Sequence, residues 1–225
     1  DLHSLRRRQR QMCIRDRERM QGVPLKMRQY LPILQALRQD ASVPQICENL
    51  VYITNNSDPE YMDRDILYSI LDKGPKRASA YWFIHIQVTD EPFTSDYTVE
   101  SYGTDYVFFV TIRLGFKVPQ RVNVYLRQII SDLVATGALP QQVRKYSIYK
   151  NATTGSFRFY HIRKTLAPES DISHLQKLAV RLKYKIRKMA GSPDKWYGLE
   201  NSNLVIEYVP LFIRSKHFNP FVKTK

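Results

Sequence analysis

Four cations at helical spacing are the residues in this chain whose types and positions most suggest a chemistry. Lys177, Arg181, Lys185 and Lys188 fall at i, i+4, i+8 and i+11, one stripe of a helix whose other stripe is Ile172, Leu175, Leu178, Leu182, Ile186 and Met189. Such a stripe attracts an anionic partner: a membrane surface, a nucleotide or nucleic acid. A helix face that is simply solvated is the plain alternative. The stripe sits inside a wider bias, because residues 139–190 hold twelve Lys and Arg against only Glu169 and Asp171. Tyr146, Tyr149, Phe157, Phe159 and Tyr184 are interleaved with these cations and have faces on which a base could stack, although such aromatics are more often core.

Catalytic chemistry has little to build on. His85, followed by Asp90 and Glu91, is the arrangement closest to an acid–base or metal-binding pair, and a hydrogen-bonded structural histidine beside a strand-ending turn accounts for it better. His161, His174 and His217 have no partners at ligand spacing, and Asp63 and Asp65 around Arg64 read as a solvated helix face. The motifs GxSxG, HExxH, GxGxxG, CxxC and the phosphate-binding loop are missing. The chain is therefore expected to be no enzyme, with no catalytic, metal-ligating or cofactor-binding residues.

The elements that would position these residues are legible from periodicity. Tyr81–Val88 (YWFIHIQV) puts Trp82, Ile84, Ile86 and Val88 on one face and Tyr81, Phe83, His85 and Gln87 on the other, as in a central strand covered on both sides. It stops at Asp90-Glu91-Pro92. Upstream, Gly22–Asp40 reads as a helix bent or restarted at Pro32, and Glu48–Thr54 as a short buried strand. Ser57 or Asp58 is the expected N-cap of a helix over Pro59–Lys73, which completes a parallel βαβ unit with the Tyr81 strand. Tyr97–Ser101 and Tyr106–Phe116 follow through short connections and predict an antiparallel meander on the sheet edge, with Gly115 at a bulge or a close backbone approach. A helix over Val122–Thr136 capped by Gly137, a strand over Ser156–Ile162, the long basic helix and a last strand over Asn203–Val209 complete the order. The expected fold class is α/β: a layered domain with a mixed, partly parallel sheet.

Residues 1–17 are expected to be foreign to the protein. They resemble a translated sequencing adapter, with fourteen of the seventeen positions following one fixed DNA string in one frame, Met12-Cys13-Ile14-Arg15-Asp16 from ATG TGT ATA AGA GAC among them. A disordered basic arm is the alternative. Without this segment the net charge falls from +14 to +10 and Cys47 is the lone cysteine, a small buried apolar residue in a reducing compartment. What remains is expected to be the C-terminal part of a longer protein, with residues 18–40 as a connector and 41–225 as the domain, which has possible sub-halves 41–138 and 139–225.

Six short motifs, in order, carry a family resemblance: NLVYIT at Asn49–Thr54; PKRA at Pro75–Ala78 with YWFIH at Tyr81–His85; DEP at Asp90–Pro92; RLGF at Arg113–Phe116; GSFRF at Gly155–Phe159; and YGLENSNLVIEY at Tyr197–Tyr208. Together they resemble the C-terminal cytoplasmic region of the bacterial KUP-type (KUP/HAK/KT) potassium uptake transporters, from about Gly22 to the end. The resemblance implies that the intact protein takes up K⁺ with H⁺ through membrane helices absent from this sequence, at the inner membrane with this domain on the cytoplasmic side. It implies a regulatory or dimerising domain whose partners are its own transmembrane domain, the membrane surface, a second copy and, as in some relatives, a cyclic dinucleotide. Potassium would be cargo bound elsewhere, and no nucleic acid is expected. The rival reading is a free-standing basic nucleic-acid- or nucleotide-binding protein; a small-molecule hydrolase around His85 and Asp90 is a third.

Overall fold

A computed structural model describes residues 25–142, 144, 154–166 and 196–211, so the basic helix with Lys177, Arg181, Lys185 and Lys188 lies outside the described residues. Chain contacts divide it into two compact units. One comprises Pro24–Arg163 and Gly191–Glu207 and contains nearly everything described below; of the other, only 164–166 and 208–211 are described, as strand ends.

The elements run β1 (Leu25–Lys26), a 3₁₀ turn (Met27–Gln29), α1 (Leu31–Gln39), β2 (Gln45–Thr54), β3 (Tyr61–Met62), α2 (Arg64–Leu71), β4 (Arg77–Thr89), β5 (Ser95–Glu100), β6 (Val107–Gly115), α3 (Val122–Ala135), β7 (Phe157–Leu166) and β8 (Leu204–Leu211). Six strands form one mixed sheet in the order β5-β6-β4-β2-β7-β8, and β1 pairs with β3 in a separate ribbon. Strand β2 is parallel to both β4 and β7, and β4 is parallel to β6, whereas β5 runs antiparallel to β6. The α/β class, the mixed sheet and the parallel β2–α2–β4 unit agree with the reading from periodicity.

Three local expectations give way. Residues 25–30 are not α-helical; Pro32 stands in the first turn of α1, where its missing N–H costs nothing. Helix α2 starts at Arg64 rather than Pro59, because Tyr61 and Met62 are taken into the β1–β3 ribbon. Asp58 and Asn56 instead accept backbone N–H bonds from Glu60 and Asp58, which makes them turn residues, and the N-cap Asp63 makes no capping bond because its carboxylate accepts from Thr54 Oγ1 at 2.8 Å. The meander is also replaced: β6 inserts beside β4 in parallel and pushes β5 to the edge. Burial explains the choice, since Val107–Val110, Ile112 and Leu114 are covered on both faces while β5, SDYTVE, has only half a strand to bury.

Strand β4 is central as expected, and its two faces feed two cores. Tyr81 and Phe83 join Leu50, Tyr52, Leu34 of α1 and Ile66, Leu67 and Ile70 of α2. Trp82 and Ile84 join Val51, Ile53, Phe108, Val110 and Leu126, Ile129 and Ile130 of α3. Each large side chain so buried contributes about 1.5–3 kcal/mol, and Trp82 adds a stack on Phe108 at 4.4 Å between centroids. Two glycines behave as their positions require. A Cβ on Gly115 would run into the Glu91 and Pro92 carbonyls, and Gly137 closes α3 at φ 75°.

Candidate functional site

The chemistry-bearing residues of the described sheet gather in two buried polar knots, one on each face. On the α3 face, period two along β2 aligns Asn49 with Val51 and Ile53, so an amide enters an apolar core. Asn49 and Gln142 exchange reciprocal bonds (Nδ2 to Oε1 2.6 Å, Nε2 to Oδ1 2.8 Å), and the Trp82 indole donates to Asn49 Oδ1 at 3.0 Å. Gln142 Oε1 also accepts the Gly155 N–H at 2.9 Å, and a Cβ on Gly155 would collide with Glu48 and Gln142. Next to it the Glu48 carboxylate accepts from the Ser156 N–H at 2.8 Å and from the Ser156 hydroxyl. Burial alone would raise the Glu48 carboxyl; Ser156, with help from the Arg144 charge, overcomes it and holds the group below its ordinary value.

On the α1/α2 face the knot is ionic. Lys76, 8% exposed, directs its ammonium to the Ser69 carbonyl, to Ser69 Oγ at 3.2 Å and to Glu207 Oε1 at 3.4 Å, and it lies 5.3 Å above the Tyr160 ring. Lys73 reaches the same Glu207 oxygen at 3.1 Å. Ser69 Oγ donates to Glu207 Oε2 and shares a 2.7 Å bond with the Tyr52 hydroxyl. Burial pushes the Lys76 ammonium down, opposed by Glu207, and pushes the Tyr52 phenol well up. Burial would also raise Glu207, but Ser69, Lys73 and Lys76 together hold its carboxyl below the usual value. A serine beside a lysine of lowered basicity is the pairing of a nucleophile with a base. Here Ser69 is fully buried and its hydroxyl is already bonded to three side chains, so the arrangement fastens α2, the entry to β4 and β8 rather than meeting a substrate.

His85 is half-buried on β4, its ladder neighbours are Thr54 and Thr111, and Asp90 is exposed beyond the strand end. Among the described residues no hydrogen bond joins His85 to Asp90 or Glu91, and no group of three His, Cys, Asp or Glu could hold a metal. His161 lies near Tyr197, and His174 and His217 are outside the described residues. Cys47 is buried with its thiol pushed up to about 12 by desolvation, which suits a small core residue. Sequence reasoning missed both knots. The available signal was parity: Asn49 and Glu207 each occupy an inward position of an otherwise apolar strand, Glu207 between Val205 and Val209.

At the surface, Phe93 and Phe116 are 72% and 60% exposed, with the Lys117 ammonium 5.5 and 6.0 Å from their rings. A cleft of about 300 Å³ between β5 and α3 is lined by Tyr97, Ile112, Leu114 and Tyr125. Among the described residues, no helix is long and apolar enough to cross a membrane.

Comparison with known proteins agrees with the resemblance read from the six motifs. A family described as "K+ potassium transporter C-terminal domain" matches residues 48–209, the span from within β2 to within β8. The chain is 42% identical over 199 residues to a "Probable potassium transport system protein Kup" of Enterococcus faecalis, covering 88% of this chain and 30% of that protein. It is 44% identical over 200 residues to "Probable potassium transport system protein Kup 1" of Bifidobacterium longum, covering 88% and 34% respectively. A Clostridium perfringens protein with the same name as the first is 42% identical over 86% of this chain and 30% of its own length. The chain thus spans about a third of the length of these relatives. No solved structure matches. The Lys76–Glu207 and Asn49–Trp82–Gln142 knots are therefore features of a potassium-transporter C-terminal domain, the KUP-type family to which this chain belongs.

Proposed function

We propose that this chain is the cytoplasmic domain of a potassium uptake protein, regulating or dimerising a K⁺/H⁺ symporter at the inner membrane and carrying out no catalysis itself. The observation that carries the reading is the family match over residues 48–209 in a chain that spans only about a third of its relatives. The relatives' remaining length has room for the ion path, and potassium is cargo there rather than a cofactor here. A sheet pinned by two buried polar knots, with aromatic side chains left exposed at its surface, suits a domain that passes on a contact. In this reading Lys177, Arg181, Lys185 and Lys188 meet the anionic membrane surface or a bound anion such as a cyclic dinucleotide, and the other partners are the domain's own transmembrane part and a second copy.

The uninterrupted gene, expressed in a bacterial strain lacking its own potassium uptake, is expected to restore growth at low potassium and to drive rubidium uptake that a protonophore abolishes. Deleting residues 18–225 is expected to leave an inserted protein with altered control of uptake. A correctly inserted full-length protein that carries no rubidium overturns the reading. Tight, steeply salt-dependent affinity of a chain with no membrane segment for nucleic acid would instead favour the free-standing nucleic-acid- or nucleotide-binding alternative.

A further inference from the structure

Arg127 on α3 and Arg144 converge on one residue that precedes β7. Arg127 Nη1 donates to Thr154 Oγ1 at 3.4 Å, and Arg144 Nε donates to the Thr154 carbonyl at 3.0 Å. Each guanidinium is also held by a second neutral acceptor: Asn123 Oδ1 takes Arg127 Nε at 3.1 Å, and the Gly155 carbonyl takes Arg144 Nη2 at 2.8 Å. The Arg127 plane sits 4.8 Å from the centre of the Phe157 ring. Both forks are thus oriented in advance, and neither spends a contact on a carboxylate among the described residues. Glu48, which feels the Arg144 charge, is hydrogen-bonded to Ser156. Two other arginines of this domain are matched with carboxylates, Arg113 with Asp96 at 2.6 Å and Arg38 with Asp105 at 3.1 Å.

Arg127 and Arg144 are close enough to repel, and partial desolvation strengthens the repulsion, while Glu48 offsets part of the charge on Arg144 alone. Arg127 shows the effect, since burial and then the Arg144 charge pull its pKa down. An oxyanion between the forks removes both costs, and planar guanidinium groups match phosphate oxygens in pairs. Arg127 is itself exposed. We propose that Arg127 and Arg144, posed on Thr154 and backed by Phe157, form a binding site for a phosphate group. The site uses residues other than those of the Lys177–Lys188 stripe and goes beyond the proposed transport role. The phosphate could be borne by a soluble phosphoester or by a lipid headgroup, which present the same oxygens.

The test uses the 225-residue chain and inorganic pyrophosphate, followed by the arginine Nε–Hε resonances and by calorimetry. Saturable binding that moves the Arg127 and Arg144 resonances is expected, weakening with salt. Arg127→Gln and Arg144→Gln should each lower the affinity at least about tenfold, while Arg113→Gln behaves like the parent. Pyrophosphate that leaves both resonances unmoved overturns the proposal without recourse to any variant, and so does an Arg113→Gln loss equal to that of Arg127→Gln. Co-sedimentation with phosphatidylcholine vesicles, with and without phosphatidic acid, then assigns the source. Capture that requires phosphatidic acid and both arginines makes the phosphate lipid-borne; pyrophosphate binding without capture makes it soluble.

Discussion

On the α3 face of the sheet the knot is made of two amides and an indole, whereas on the α1/α2 face it is made of a buried ammonium, a carboxylate, a hydroxyl and a phenol, with the exposed Lys73 at its rim. Both knots satisfy every donor and acceptor that the core would otherwise orphan, yet they do so at different stakes. Breaking the amide knot strands neutral groups, each worth the desolvation of one dipole. Breaking the ionic knot strands a charge. They also fasten different things: the amide knot joins the middle of β2 to β4 and to the start of β7, while the ionic knot joins α2 and the entry of β4 to β8. The neutral chemistry thus lies where strands already pair closely, and the charged chemistry holds an edge strand in place.

The largest expected effect comes from Glu207→Leu, which leaves Lys76 buried with no counter-charge and should cost about 3–5 kcal/mol in urea unfolding. Adding Lys76→Met to it is expected to recover part of that loss, and a double substitution no more stable than Glu207→Leu alone would break the ionic account. Asn49→Leu should cost less, about 2–3 kcal/mol, because it leaves the Trp82 N–H and the Gln142 amide unpaired. The two knots should also separate by pH. Glu207 has a folded pKa below its ordinary 4.5, so its contribution is complete above that value and is lost as pH falls through the folded pKa. Glu207→Gln should therefore flatten the acid limb of stability against pH, leaving the part due to Glu48, while Asn49→Leu should lower the whole curve without changing its slope. The smallest effect belongs to Arg113→Gln at the exposed β5–β6 pair, where no measurable shift of the unfolding midpoint is expected.

The central strand, the βαβ unit, helix α3 and both glycine positions were legible because each follows from local spacing: period two in Tyr81–Val88, period 3.6 in Val122–Thr136, and a residue that must lack a Cβ. The place of β6 was not, since short connections point to a meander while coverage of both its faces decides for parallel insertion. The starts of α1 and α2 were misplaced because tiny strands β1 and β3, two residues each, leave no periodic trace. The polar knots depend on contacts across 93 residues for Asn49–Gln142 and 131 for Lys76–Glu207, and no local pattern names such partners. Lys76 and Arg77 are adjacent cations of one motif with nothing local to tell them apart, yet only Lys76 is buried; Arg77 reaches the Arg38 and Val43 carbonyls instead. The family resemblance was legible from the same segments that hold these groups, since Asn49, Lys76, Trp82, Gly155 and Glu207 all lie within the six motifs.

The surroundings of the Lys76 ammonium are a main-chain carbonyl, a hydroxyl, a carboxylate oxygen and an aromatic face. Oxygens of that kind coordinate alkali metal ions, and a lysine held there is a monovalent cation on a covalent leash. The domain carries its own resident cation, at fixed stoichiometry and beyond the reach of exchange. At this point the Glu207 charge is balanced from within the chain, and the knot is expected to close without an alkali ion taken from solution.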